Sequence, residues 1–241
     1  MLSKNQIKLI KTLAQKKFRS QHGLFTVEGV KGIIEFVNSS FQLQHIYTTQ
    51  PIFDVKIDNF TIISESDLKK ISQLRNPNTA VGVFKIPKKA SINTTNLIVA
   101  LDDVRDPGNL GTIIRLCDWF GIKYLVCSNN TVDCYNSKVV QATMGSLTRV
   151  NVTYVDLENL LSKYTSEIYG TFMDGETIYN SELPEYGILV MGNEGNGISQ
   201  KVQDLVTKRI AIPRFGDNFT ESLNVATATA ICLSEFKRKT I

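Results

Sequence analysis

The hydrophobic and polar positions of this chain follow different patterns in its two halves. In the first 86 residues helical and strand patterns are mixed, and apolar residues recur at helical spacing from Ile7 to Ala14, which predicts a helix over 3–16. The other elements predicted there are helices at about 29–38 and 65–74 and strands at 24–27, 45–47, 61–63 and 80–84. We therefore expect a small mixed α/β module over residues 1–86.

A polar stretch over residues 87–96 breaks both patterns and is interpreted as a linker. Beyond it, strands and helices alternate through a second domain at 97–241. The strands are predicted at 97–101, 124–127, 152–155, 168–172, 188–191 and 210–212, and the helices at 107–120, 138–148, 156–164, 199–207 and 223–238. Such alternation is typical of an α/β fold with a mostly parallel sheet and helices on both faces, whose ligands bind at the carboxyl ends of the strands.

Composition restricts the class of function only loosely. The chain has 241 residues, 42% of them hydrophobic, and a net charge of +4 with lysines crowded before residue 20. This charge permits a polyanionic partner, although a solvated helix face together with a charged linker is the more common explanation. His22 and His45 lie far apart and the four cysteines lack Cys-x-x-Cys spacing, so no metal site is recognisable. Without a signal-peptide pattern or a run of membrane-spanning length, we expect a cytoplasmic protein.

Three turns in the second domain carry the candidate chemistry, and each follows a predicted strand. The first begins at Asp106-Pro107, a typical helix start, and its helix carries Asn109 and Arg115. At 100° per residue, Arg115 lies about 200° around the helix from Ile113 on the apolar stripe. A surface arginine would have the same pattern, but beside Asn109 at the mouth of a cleft Arg115 is a candidate contact for a phosphate or an oxyanion.

The second and third turns are rich in glycine and polar residues. One is the run 192–197 around Glu194, and the other comprises Ile212-Pro213 and then Ser222-Leu223-Asn224-Val225. Glycines allow backbone N–H and C=O groups to approach a ligand closely, whereas an ordinary loop and a plain N-cap at Ser222 or Asn224 are the structural alternatives. The three turns together predict a pocket built from main-chain groups, and therefore an enzyme.

The order and spacing of these motifs resemble the SpoU-type (TrmH-like) branch of the SPOUT RNA methyltransferases. The Asn-x-Gly-x-x-x-Arg motif of that family corresponds to residues 109–115, its apolar strand with Gly-x-Glu-x-x-Gly to 189–197, and its Ile-Pro and Ser-Leu-Asn-Val to 212–213 and 222–225; residues 142–147 resemble its central helix. The likeness covers about residues 97–238. Residues 25–29 resemble the ribosomal-protein-like RNA-binding domain often fused to these enzymes. One departure is the stretch 214–221, which is slightly longer than the usual loop of the third motif.

The resemblance implies a deep trefoil knot in the second domain, which nothing in the periodicity predicts. It also implies a homodimer that transfers a methyl group from S-adenosylmethionine to a ribose 2′-hydroxyl of RNA, with ribosomal RNA favoured over transfer RNA. The cofactor would be contacted at Met191, Gly192, Gly197, Ile212 and Leu223. The candidate catalytic residues are Asn109, Arg115, Glu194, Ser222 and Asn224.

The general base stays open at the level of the sequence. The arginine of the first motif has been proposed to activate the hydroxyl in this family, but a guanidinium is hard to deprotonate in a protein. We therefore expect Arg115 to hold an RNA phosphate and stabilise the developing alkoxide. Glu194 is a candidate base or orienting group, and Ser222 and Asn224 could position the ribose.

Three other classes of protein share parts of this pattern. A nicotinamide dehydrogenase needs a Gly-x-Gly-x-x-Gly fingerprint and a ribose-binding carboxylate, which the sequence lacks. A class I methyltransferase would place its glycine-rich turn after the first strand, where Asp102-Asp103 stand instead. A non-catalytic RNA-binding protein of the same fold would explain the lysines but could tolerate the loss of Arg115 or Asn224, and both are present.

Overall fold

The structure is a computed structural model that describes residues 2–53, 59–88, 91–216 and 222–238. Its first elements are α1 (Lys4–Thr12), α2 (Lys16–His22), β1 (Leu24–Glu28), α3 (Val30–Val37), β2 (Leu43–Thr48), β3 (Phe60–Ile62), α4 (Glu65–Ile71) and β4 (Ala80–Lys85). The elements that follow are β5 (Leu97–Leu101), α5 (Pro107–Trp119), β6 (Tyr124–Ser128), α6 (Ser137–Thr143), a 3-10 turn (Ser146–Thr148), β7 (Asn151–Val155), α7 (Leu157–Leu161), β8 (Ile168–Thr177), β9 (Gly187–Met191), α8 (Gln200–Gln203), β10 (Lys208–Ala211) and α9 (Val225–Arg238).

These elements form two compact units. The first comprises Met1–Lys88 and Asp133–Thr148, and the second comprises Lys89–Val132 and Arg149–Ile241. The segment 133–148 therefore associates with the N-terminal module, although it lies inside the second domain predicted at 97–241. The predicted domain boundaries stay a prediction. No helix of the described residues is both long and apolar enough to span a membrane.

The first unit is built on a four-stranded sheet in the order β1-β4-β2-β3. β2 and β3 pair in parallel, and the other neighbours are antiparallel. Because side chains alternate along a strand, β4 sends Val81 and Val83 to one face and Phe84 to the other. The valines join an apolar cluster with α1 and α4, and Phe84 packs against Phe25 and Phe36.

A buried ion pair ties α2 to the segment 133–148 within the first unit. Arg19 is 2% exposed, and its Nε donates to Asp133 Oδ2 at 2.9 Å. Its Nη1 donates to the backbone carbonyl oxygens of Leu13 and Ala14 at 2.8 and 2.9 Å. Breaking such a pair leaves an uncompensated buried charge, so the fold depends on both partners.

The second unit contains a six-stranded sheet in the order β10-β8-β9-β5-β6-β7, and all neighbouring strands are parallel. One face packs against α7 and α8 through a cluster that includes Ile98, Val190 and Val202. On the opposite face Tyr169 of β8 meets Phe236 of α9, with ring centroids 5.2 Å apart. The predicted α/β fold, with a mostly parallel sheet and a smaller N-terminal module, is confirmed; the knot stays a prediction.

Several predicted element bounds were wrong. The helix expected over 3–16 ends at Thr12, and the helix α2, which was not expected, begins at Lys16. The helix expected over 138–148 stops at Thr143, because Met144 and Gly145 adopt positive φ angles of 50° and 93°. The helix expected over 199–207 contains four residues, and β8 extends to Thr177. Of the long loop expected over 214–221, residues 217–221 lie outside the described residues.

The four cysteines are buried and free of disulfides, as the apolar patterns around three of them suggested. Burial raises the pKa of the Cys232 thiol to about 12. A thiol that stays protonated behaves as a small hydrophobic group.

Candidate active site

The order of strands in the second unit reverses between β5 and β9. From β5 the chain adds β6 and then β7 on one side, whereas β9, β8 and β10 lie on the other. In open α/β sheets, ligands bind at the carboxyl ends of the strands where the order reverses. Leu101 and Met191 are the paired last residues of β5 and β9. The first and second motif turns therefore leave the sheet side by side.

The turn after β9 is closed by Asn193. The backbone of Asn193 exchanges two hydrogen bonds with that of Gly197, each 2.9 Å long. Its side-chain Oδ1 accepts hydrogen bonds from the backbone N–H groups of Gly195 at 2.9 Å and Asn196 at 3.1 Å. An Asn side chain that satisfies its own turn in this way fixes the backbone without help from a core. The loop that carries Glu194 is therefore preorganised.

Two aspartates after β5 anchor this loop, and sequence analysis did not identify them as site residues. Asp102 Oδ2 accepts from the backbone N–H of Ser199 at 2.7 Å, and the Asp103 carbonyl oxygen accepts from Asn193 Nδ2 at 2.6 Å. Asp103 has a φ of 59°, a conformation that Asp tolerates better than most residues. The one local signal was the acidic pair directly after a buried strand, and its partners are fixed only by the fold.

Helix α5 begins just beyond the carboxyl end of β5 and carries the polar residues of the first motif. Asp106 is the N-cap, and its Oδ1 accepts from the backbone N–H of Asn109 at 2.8 Å. Leu110, Ile113 and Cys117 are buried, whereas Arg115 is exposed. The expected orientation of Arg115 away from the core is thus confirmed.

A chain of side-chain hydrogen bonds joins all three motifs. Asn109 Nδ2 donates to Glu194 Oε1 at 2.8 Å, and Asn224 Nδ2 donates to Asn109 Oδ1 at 2.9 Å. Asn224 Oδ1 accepts from the backbone N–H groups of Ala226 and Thr227, at 2.9 and 3.2 Å, and so caps α9. Because backbone N–H groups can only donate, Asn224 Oδ1 must be an acceptor, and this fixes which amide atom donates and which accepts at both Asn224 and Asn109. Glu194 is its terminal acceptor.

The two arginines near these turns differ in their partners. Arg105 donates to both carboxylate oxygens of Asp103, at 2.9 and 2.8 Å, and these hydrogen bonds raise the pKa of Arg105. The side chain of Arg115 makes no hydrogen bond or ion pair within the described part of the chain. The charge of Arg115 is therefore available to a ligand, whereas the charge of Arg105 acts on Asp103 and on Glu194.

The predicted cofactor residues lie around the same strand ends. Met191 ends β9 and is buried, with its carbonyl oxygen accepting from the Asp102 N–H at 2.9 Å. Ile212 follows β10 and is partly buried, and the side chain of Leu223 is 49% exposed just before α9. The backbone groups of Ile212 and Leu223 make no hydrogen bond to other described residues.

The structure brings only some of the predicted catalytic residues together. Asn109, Glu194 and Asn224 share the hydrogen-bonded chain. Ser222 is exposed, and neither it nor Arg115 contacts that chain through a hydrogen bond of the described residues. The roles of all these residues stay predictions.

The fold and the motif turns define an α/β protein with an N-terminal accessory module and a candidate ligand site at the reversal point of a parallel sheet. The chain belongs to the SpoU rRNA methylase family, whose model matches residues 96–234. The model of the MRM3-like substrate binding domain matches residues 4–82.

Relatives and solved structures support this assignment over nearly the whole chain. The chain is 29% identical to the 23S rRNA (guanosine(2553)-2′-O)-methyltransferase RlmP of Bacillus subtilis, covering 95% of each protein. A Porphyromonas gingivalis structure assigned to the TrmH family of RNA methyltransferases superimposes with a TM-score of 0.91 and 37% identity, covering 99% of each chain. An AdoMet-bound rRNA methyltransferase of Sinorhizobium meliloti has a TM-score of 0.87 and 28% identity, covering 100% of this chain and 98% of its own.

The close backbone approach in the turn after β9 predicts a difference between two of its glycines. A Cβ on Gly192 would lie 2.3 Å from the backbone carbon of Gly197, whereas a Cβ on Gly195 would meet nothing nearer than 3.6 Å. We expect Gly192→Ala to lower the free energy of unfolding by about 1–3 kcal/mol, the typical cost of overpacking. Gly195→Ala, the matched control, should stay within about 0.5 kcal/mol of the wild type. Denaturant titration measures both, and equal stabilities for the two variants would contradict the close approach.

Proposed function

We propose that this protein transfers the methyl group of S-adenosylmethionine to a ribose 2′-hydroxyl of 23S ribosomal RNA. The observation that carries the proposal is the hydrogen-bonded chain Glu194–Asn109–Asn224, which unites the three family motifs at the reversal point of the sheet. The B. subtilis relative supports the choice of RNA and of the 2′-hydroxyl, since its name specifies both.

The residues around the strand ends fit S-adenosylmethionine. The backbone groups of Ile212 and Leu223 have no hydrogen-bond partner in the described part of the chain, and a ligand can satisfy them. A Cβ on Gly197 would meet nothing within 4 Å, so the main chain there is open to close approach. Met191, Gly192, Gly197, Ile212 and Leu223 would hold the cofactor. When bound, S-adenosylmethionine supplies an electrophilic methyl group on a sulfonium.

The side chains beyond the carboxyl ends of the strands would position the ribose and accept its proton. The 2′-hydroxyl must lose its proton as its oxygen attacks the methyl carbon, and a base within hydrogen-bond reach accelerates this step. Glu194 is fixed through Oε1, and its second oxygen has no hydrogen-bond partner among the described residues. Glu194 would therefore accept or orient the hydroxyl proton, and Ser222 and Asn224 would position the ribose.

Arg115 would hold the neighbouring phosphate and stabilise the developing alkoxide. Its exposure and its lack of a partner within the described residues leave all its donors to the substrate. A guanidinium stays protonated in proteins and presents a planar fork that matches phosphate oxygens. This role requires no deprotonation of Arg115.

We further propose that the N-terminal module, predicted at 1–86, binds RNA. Residues 87–96 would link this module to the methyltransferase domain at 97–241. We also propose that the protein is a cytoplasmic homodimer. The match of residues 4–82 to a substrate binding domain supports the first of these assignments. On α9, Ala226 is buried within its own chain, whereas Ala228 and Ala230 are partly exposed and remain available for close packing with a second copy.

Methyl transfer to ribosomal RNA tests the function directly. Wild-type protein, labelled S-adenosylmethionine and a 23S RNA transcript should yield one methylated nucleotide that resists alkaline cleavage at its 3′ phosphate. Cofactor binding measured by calorimetry should persist in a chelator. Methylation of a base, or of transfer RNA but not of ribosomal RNA, would contradict the proposal.

The role of Arg115 predicts a separation of activity from stability. Arg115→Ala should lower the single-turnover rate by on the order of 100-fold, the cost of one transition-state donor. Its free energy of unfolding should change by no more than about 0.5 kcal/mol, as is usual at exposed positions. Arg115→Lys keeps the charge but loses the fork and should restore little activity. Wild-type turnover in the alanine variant would make Arg115 an ordinary surface residue.

A further inference from the structure

Helix α1 presents one strongly basic face. Lys4, Lys8 and Lys11 are exposed and line a shallow groove of about 470 Å³ with Ile7, Thr12 and Gln15. Residues spaced by three or four positions share one side of a helix, so the three lysines span about 10 Å of its axis. Their side chains make no ion pair or hydrogen bond with another described residue, and no carboxylate is among the six residues that line the groove.

The orientation of this face is fixed by the rest of α1. Ser3 and Gln6 form a capping box in which each side chain accepts from the other's backbone N–H, at 3.2 and 2.9 Å, which fixes the start of the helix. The opposite side buries Ile10, with Leu13 directly after the helix, against Leu68 and other apolar residues of the first unit. The lysines therefore stand on a rigid element, and only their side chains must be ordered on binding.

We propose that the α1 groove, defined by Lys4, Ile7, Lys8, Lys11, Thr12 and Gln15, binds the sugar–phosphate backbone of the substrate RNA. A row of cations that has no acidic partner among the described residues matches a polyanion whose charges repeat along a line. Ile7 and the lysine methylenes offer apolar surface to the sugars, and Thr12 and Gln15 offer hydrogen bonds. Contacts of this kind position the RNA without reading its sequence.

This inference rests on the proposed function, because it assumes that the substrate is RNA. Whether the groove binds RNA or an acidic protein is a question apart from the catalytic function. An acidic peptide would also be attracted to lysines, so poly-L-glutamate is included as a second probe. RNA is favoured because the groove combines evenly spaced positive charge with an open, shallow floor.

The test compares the salt dependence of RNA binding for wild type and a triple variant of the full-length protein. Lys4→Gln/Lys8→Gln/Lys11→Gln keeps good helix formers at all three positions. With a 23S RNA transcript as probe, the slope of log Kd against log salt should fall by about 2 to 3, and affinity near 0.1 M salt should fall roughly 10- to 100-fold. The triple Lys→Arg variant should retain most of the affinity.

Two controls separate the groove from net charge and from the catalytic function. Lys31→Gln/Lys69→Gln/Lys85→Gln removes the same charge from exposed lysines of the first unit outside the groove and should bind RNA like the wild type. S-adenosylmethionine affinity should be unchanged in both triple variants.

Three outcomes would overturn the assignment of the groove. They are wild-type RNA affinity in the groove variant, equal losses in both triple variants, and equally tight, lysine-dependent binding of poly-L-glutamate. If the wild type methylates the transcript, any of these leaves the proposed function standing. Failure of the wild type to bind or methylate any RNA would overturn the proposed function, and the RNA groove with it.

Discussion

The side-chain amide of Asn109 is the interaction on which the arrangement of the candidate site depends. Its nitrogen donates to Glu194 and its oxygen accepts from Asn224, so one side chain joins three segments that are distant in sequence. Asn224 is oriented by capping α9, and Asn109 lies in the first turn of α5. The direction of the Glu194 carboxylate is thus set by the backbones of two helices.

Each of these segments is also fixed by local hydrogen bonds that do not involve the Asn109 amide. Asp106 caps α5, and Asn193 closes the turn after β9. Asp102 and Asp103 hold that turn against the carboxyl end of β5. Polar groups fixed by caps and turns lose little freedom when substrate arrives, which is the condition for electrostatic stabilisation of a transition state. Arg115 and the lysines of α1 have no ion-pair partner among the described residues, and they would supply the positive charge in the proposed contacts with RNA.

The sequence predicted the parallel sheet and the motif residues because both leave local patterns. Strand–helix alternation is visible in the periodicity, and Asn109, Arg115 and Glu194 stand at family spacing. The contributions of Asp102, Asp103 and Asn193 were not predictable, since their partners are backbone groups brought close only by the fold. The break between α1 and α2 has no glycine or proline to mark it; there the Arg19 side chain satisfies the backbone carbonyls at the end of α1. Gly145, with its positive φ, is the local signal in the sequence for the early end of α6.

A double-mutant cycle on Asn109 and Glu194 tests the central claim that these side chains act as one unit. Single-turnover methyl transfer to 23S RNA would be measured for Asn109→Ala, Glu194→Ala and the double variant, with unfolding measurements to establish that each is folded. Side chains that share a hydrogen bond and a function show coupling of about 0.5–3 kcal/mol. We expect the double variant to be scarcely slower than the slower single variant. Losses that multiply, so that the two changes are independent, would contradict the account.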